Sequence, residues 1–66
     1  MKKNFIKEII KYGMATTDKY KYYCFTIYDY DKNGNCAGHH YLIKRIELKY
    51  IYAGVNLYET VFEGNI

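Results

Sequence analysis

The chain has no tryptophan, no proline and only two cysteines in 66 residues. Secreted domains of this size usually carry several cysteine pairs, so Cys24 and Cys36 do not make a disulfide framework. A reducing cytoplasm is the expected compartment, that of the host cell if the chain is phage-encoded. No secretory leader is expected either, because "MKKNFIKEII" alternates charged and apolar residues rather than forming a continuous apolar run. Nothing approaches the roughly 20 apolar residues needed to span a bilayer, so no membrane partner is expected. Phosphate-cradling glycine loops are missing too, with neither GxGxxG nor GxxxxGK[ST] present.

Length excludes more. One domain, residues 1–66, is all the chain can form, and it cannot house a deep substrate cleft beside a core. No enzymatic activity and no cofactor are therefore expected. Charge adds little: ten Lys and Arg against seven Asp and Glu give a net charge of +3, with the basic residues dispersed. That is weaker than the basic footprint of a dedicated nucleic-acid binder.

What the chain does have is tyrosine, ten of them, within a composition that is half hydrophobic. Tyrosine favours strands and joins an apolar ring to a polar tip. A core this small cannot hide ten, so several must face solvent or a partner.

Phe5, Ile6, Ile9 and Ile10 form one apolar stripe at helical spacing. Asn4 is the expected cap, and Gly13 the left-handed stop. "MATTDK" reads as connection. From Lys19 the period becomes two, and "KYKYYCFTIYDY" predicts a strand. In "HYLIKRIELKYIY", five of the six positions Leu42, Lys44, Ile46, Leu48, Tyr50 and Tyr52 are apolar, which favours a strand over a helix. A turn at Ala53–Gly54 and a third strand, "VNLYETVFE", complete the order. The expected fold is α+β, a short N-terminal helix packed on one face of a three-stranded antiparallel meander.

"DYDKNGN", residues 29–35, opens like an EF-hand calcium loop, with Asp29, Asp31, Asn33 and Gly34 in place. The twelfth position, however, is His40 instead of glutamate, and both flanks read as strands. A hairpin tip accounts for the same residues: Asn33 and Gly34 tolerate positive φ, and Asp31 can fix the turn. Two registers fit it. A two-residue Asn33–Gly34 turn pairs Phe25 with Leu42. A type I turn with Gly34 as a bulge shifts every partner by one and sets Lys21 against Arg45, so the first is preferred.

In that register Tyr23, Phe25, Ile27, Leu42, Ile46 and Leu48 share the face expected to lie under the helix. Tyr20, Tyr22, Tyr28, Tyr30, Tyr41 and Arg45 share the reverse face, with Cys24, Thr26, His39, Ile43 and Glu47. Left uncovered, those tyrosines would form an aromatic patch of the kind that marks interfaces, and tyrosine and arginine are preferred hot-spot residues. Cys36, His39 and His40 are the only clustered soft-metal ligands, and they lack the fourth that structural zinc requires, so no metal is expected.

These residues point to a small non-enzymatic binding protein whose Tyr-rich sheet surface occupies a macromolecular partner, most simply a protein. By analogy of size and of Lys-, Ile-, Tyr- and Asn-rich composition, a phage-type inhibitor of a host or defence enzyme, anti-CRISPR-like, fits that description. An alternative is nucleic-acid binding, with tyrosines stacking on bases and Lys19, Lys21, Lys44, Arg45 and Lys49 on phosphates. A third is a homodimer that buries the same face.

Overall fold

A computed structural model describes all of residues 1–66. The elements run α1 (Lys3–Tyr12), β1 (Met14–Thr16), β2 (Tyr20–Tyr30), β3 (Cys36–Glu47), α2 (Leu48–Ala53) and β4 (Glu59–Gly64). The class is α+β, with a helix on an antiparallel sheet, but the sheet has four strands in the order β1-β2-β3-β4. The extra strand is β1, inside the segment expected to be a connection. It pairs Met14, Ala15 and Thr16 with Tyr23, Tyr22 and Lys21.

Helix α1 carries the expected stripe, with Ile9 fully buried and Phe5, Ile6 and Ile10 packed beside it. Its start differs: Lys2 is the cap residue, and its carbonyl accepts from the N–H groups of Phe5 and Ile6, without help from Asn4. Its end is as expected. Gly13 takes φ 81°, and its N–H donates to the Ile9 carbonyl.

The expected second strand stops at Glu47, and "LKYIYA" is helical. Glu47 pairs with Tyr20, the first residue of β2, while β4 pairing ends at Arg45–Glu59. Past Glu47 only the Leu48 N–H still reaches across, to the Lys19 carbonyl at 2.8 Å, and the groups beyond it have no strand on either side. Coiling into α2 satisfies those groups locally, and Leu, Lys and Ala favour it. Gly54, at φ 73°, closes the helix and begins the return that leads to β4.

The hairpin uses both registers weighed from the sequence. At the tip, the Gly34 N–H reaches the Asp31 carbonyl, and Asp31 and Asn35 close the loop with Gly34 at φ 84°. The Asp31 carboxylate accepts from the N–H groups of Asn33 and Asn35 at 2.9 and 3.0 Å. This is the type I turn with a glycine bulge, and it pairs Tyr30 with Cys36. One extra residue in β3, Ala37, then resets the ladder, so that Asp29 pairs with Gly38 and Phe25 with Leu42. Two bulges cancel, and the body keeps the preferred register.

The helix, however, lies on the other face. Ile9 packs with Tyr22 and Ile43, flanked by Ala15, Tyr20, Cys24 and Phe62. The face expected to be core lies away from α1: Phe25 is 48 % exposed there and Ile27 36 %, while Tyr58 packs against Tyr23 nearer Ile46. Backbone geometry decides this. The Gly13 carbonyl accepts the Cys24 N–H at 3.0 Å, which pins the helix end to the edge of β2. From there the left-handed Gly13 turn sends α1 over Tyr22. Only Ile46 of the expected core set is buried, apart from the Ile9 cluster. Four buried residues in 66 make a very small core.

Candidate functional site

The six tyrosine and arginine residues singled out from the sequence separate into two groups. Tyr20, Tyr22 and Arg45 sit at the helix-covered end of the sheet. Tyr22 is 5 % exposed, and Phe5 of α1 meets its ring edge-on at 5.1 Å. The Arg45 guanidinium stacks over the Tyr20 ring at 4.1 Å. Its Nη1 donates to the Tyr22 hydroxyl at 3.4 Å, and its Nε donates to the Glu59 carboxylate. Those hydrogen bonds, Tyr22 first and Glu59 second, push the guanidinium pKa above its already high value. Tyr22, Arg45 and Glu59 are cross-strand partners, so the cluster ties β2, β3 and β4 together along one rung. Here Tyr22 is core, and Arg45 is neutralised and stacked.

Tyr28 and Tyr41 belong to the second group, on the part of the hairpin that extends beyond α1. Tyr28 is 59 % exposed and Tyr30, at the tip, 65 %. His39 lies between Tyr28 and Tyr41, its ring 6.3 Å from the first and 5.4 Å from the second. The Tyr41 hydroxyl and His39 Nε2 are 3.3 Å apart. This arrangement offers flat apolar rings together with hydroxyl and imidazole groups, at a site the helix does not reach. Such a mixture suits stacking and hydrogen bonding to a macromolecular surface.

One cluster was not foreseen. On the opposite face His40 bridges two carboxylates, with Nδ1 at 3.0 Å from Asp29 Oδ2 and Nε2 at 3.0 Å from Glu63 Oε2. Its β2 half was readable, since His40 pairs with Ile27 and Asp29 lies two residues along on the same face. Glu63 depends on the β3–β4 register, which an extra residue, Val61, displaces. Imidazole can serve two carboxylates only when both nitrogens carry protons. The hydrogen bond to Asp29, then that to Glu63, raises the His40 pKa above its ordinary 6.5. The folded state therefore holds this proton more tightly than the unfolded chain. That contribution is complete below 6.5 and is lost as pH rises through the raised folded value. Thermal stability is expected to fall as pH rises from about 6 to about 9, and His40→Gln is expected to flatten that decline. An equal slope in the variant would mean that another group is responsible.

The remaining polar candidates are dispersed. Cys24 and Cys36 are free thiols, and burial pushes the Cys24 thiol up from its ordinary 9.0. Cys36 faces the Gly38 carbonyl, while the His39 ring is turned to Tyr41. Lys49 pairs with Glu47 at 3.1 Å. Lys21 lies over the Tyr23 ring, on the opposite face from Tyr28 and Tyr41, where Lys44 also sits. Asp31 is committed to its own turn and Asp29 to His40.

The class defined by this architecture is a small α+β protein built on a four-stranded antiparallel meander. No helix is long and apolar enough to cross a membrane. Comparison with known protein families, with curated proteins and with solved structures finds no match.

Proposed function

We propose that this chain is a non-enzymatic binding protein that engages a macromolecular partner, in the first instance a protein, through the aromatic surface of its projecting hairpin. The observation that carries this reading is the exposure of Tyr28 and Tyr30 beside His39 and Tyr41, beyond the reach of α1. Exposed aromatic clusters of this kind are costly to leave in water unless something occupies them. Of the six residues expected to bind, Tyr28, Tyr30 and Tyr41 keep that role. Tyr20, Tyr22 and Arg45 shape the end of the sheet that supports them. Inhibition of a host or defence enzyme by a phage-encoded, anti-CRISPR-like chain is the finer form of the proposal, and size and composition support it. A cytoplasmic setting accords with two free thiols.

Nucleic acid is the less favoured partner. Arg45 and Lys49 are already paired with carboxylates, and Lys21 and Lys44 lie on the face away from Tyr28 and Tyr41. The test is capture of a partner from host lysate by the wild-type chain and by Tyr28→Ala and Tyr41→Ala, with folding followed by circular dichroism. Each variant is expected to stay folded while affinity drops by more than about 1 kcal/mol. Undiminished capture by both would remove the hairpin from the interface. Anisotropy with labelled single and double strands checks the other class, for which binding should weaken steeply with added salt.

A further inference from the structure

We propose that two copies of this chain join edge to edge along the outer rim of β2, so that the sheet of one continues into the other. Cys24 donates its N–H to the Gly13 carbonyl at 3.0 Å, and the Tyr20 carbonyl accepts the Thr17 N–H at 2.9 Å. Even-numbered residues of β2 therefore turn their backbone groups outward, while odd-numbered ones bond to β3. Asp31 keeps the alternation at the tip, where its N–H donates inward to the Asn35 carbonyl. β1 reaches no further along β2 than the Met14–Tyr23 pair. Beyond Cys24, the N–H and C=O groups of Thr26, Tyr28 and Tyr30 have no partner in the chain. This open edge, Phe25–Tyr30, is about 20 Å long. It has neither proline nor lysine to blunt it, and its one charge, Asp29, is already paired with His40. The other rims are guarded. β1 is three residues long, and β4 carries Glu59, Glu63 and the extra residue Val61. On β3 beyond β4, the Asn65 side chain donates to the His39 carbonyl at 3.1 Å and Ala37 interrupts the ladder.

The limits of the edge identify its occupant. Gly13 closes it at Cys24 and the turn at Asp31 closes the other end, so an added strand must fit between them with its own outer groups free. The same stretch of a second copy meets that requirement, because an antiparallel edge is its own complement under a two-fold axis. Only one register works. With the axis at Ile27, the second copy's Tyr30 would lie opposite Cys24, where Gly13 already sits. With the axis at Asp29, two carboxylates would face each other directly. An axis at Tyr28 avoids both. Tyr28 then exchanges both of its N–H···O bonds with its counterpart, and on either side Thr26 of one copy does so with Tyr30 of the other. Every open group finds a partner. The side chains agree on the helix-bearing face, where ring meets ring at Tyr28 and Thr26 meets Tyr30, an aromatic–β-branched pair. On the reverse face Ile27 lies beside the second copy's Asp29, and the two Asp29 stand diagonally, each held by its own His40. With four buried residues and no disulfide, the single chain lacks the usual staples of so small a domain, and oligomerisation is one of them. The proposal stands apart from the function proposed above, since the edge needs no other partner.

Light scattering after size exclusion, on the full chain across the micromolar range, is expected to report the mass of a dimer. Amide hydrogen exchange is expected to slow with protein concentration at Thr26, Tyr28 and Tyr30, while Phe25 and Ile27, bonded to β3, stay slow throughout. Thr26→Pro deletes one outward N–H and leaves the β3 ladder whole, and it is expected to weaken association at least about tenfold. Tyr28→Lys sets two like charges at the axis on an exposed position, and it serves if Thr26→Pro fails to fold. A folded wild-type monomer overturns the proposal. So does a dimer that ignores both Thr26→Pro and Tyr28→Lys, or one in which the Thr26, Tyr28 and Tyr30 amides exchange freely.

Discussion

Ile9→Ala is expected to lower stability by about 2–5 kcal/mol, enough to unfold much of the population of so small a domain. Ile9 is 0 % exposed and is one of only four buried residues. It is the point at which α1 meets Tyr22 and Ile43, so truncation opens a cavity where helix and sheet are joined. A ten-residue helix is marginal alone, so losing this contact also loosens α1 itself. Ile10→Ala, on the same stripe but half-buried, should cost less. Urea denaturation followed by circular dichroism measures both. If Ile9→Ala melted like the wild type, α1 would not be packed as described.

Tyr22→Ala is the second large effect, at about 3–5 kcal/mol. The sequence alone placed Tyr22 on a binding surface, where truncation would reduce affinity and spare the fold. The structure makes it the aromatic centre of the core, in edge contact with Phe5 and accepting a hydrogen bond from Arg45. Tyr22→Phe separates the two contributions. It keeps the ring and removes only the hydroxyl, at a cost of about 0.5–1.5 kcal/mol. Tyr28→Ala is the contrast, since its exposed ring should change stability by no more than about 0.5 kcal/mol. Equal stability of Tyr22→Ala and Tyr28→Ala would return both tyrosines to the surface.

Local signals were read correctly where local chemistry decides the outcome. The apolar stripe and Gly13 determine α1, and Asp31 with Gly34 forms the hairpin tip, though by the bulged type I turn and not the two-residue turn preferred from the sequence. The preference against facing Lys21 with Arg45 gave the register of the hairpin body, which the extra residue Ala37 restores below the tip. The misreadings have non-local causes. β1 is three residues long, too short for periodicity to reveal, and exists because β2 offers it an edge. Residues 48–53 alternate well enough for a strand but become helix because β2 begins at Tyr20 and, past the one hydrogen bond from the Leu48 N–H to the Lys19 carbonyl, leaves them no partner. Of the candidate surface, Tyr28 and Tyr30 were legible as exposed aromatics, and Tyr41 beside them is half-buried. Arg45 was legible as a charge, but its engagement by Glu59 required the bulged β3–β4 register.

The sequence by itself determined the α+β class, the C-terminal end of the first helix, the hairpin and the register of its body, and a surplus of aromatic residues beyond what the core can hold. Each follows from neighbours in the chain or from direct cross-strand partners, and such interactions carry their own periodicity. Tertiary structure alone decided which face of the sheet the helix covers. Both faces carry enough apolar surface to accept it: Tyr23, Phe25, Ile27 and Leu42 on one, Tyr22 and Ile43 with tyrosine rings around them on the other. Hydrophobicity therefore does not choose between them. The choice is made by the Gly13 turn and by β1, which hold the end of α1 against the edge of β2 and direct it over Tyr22.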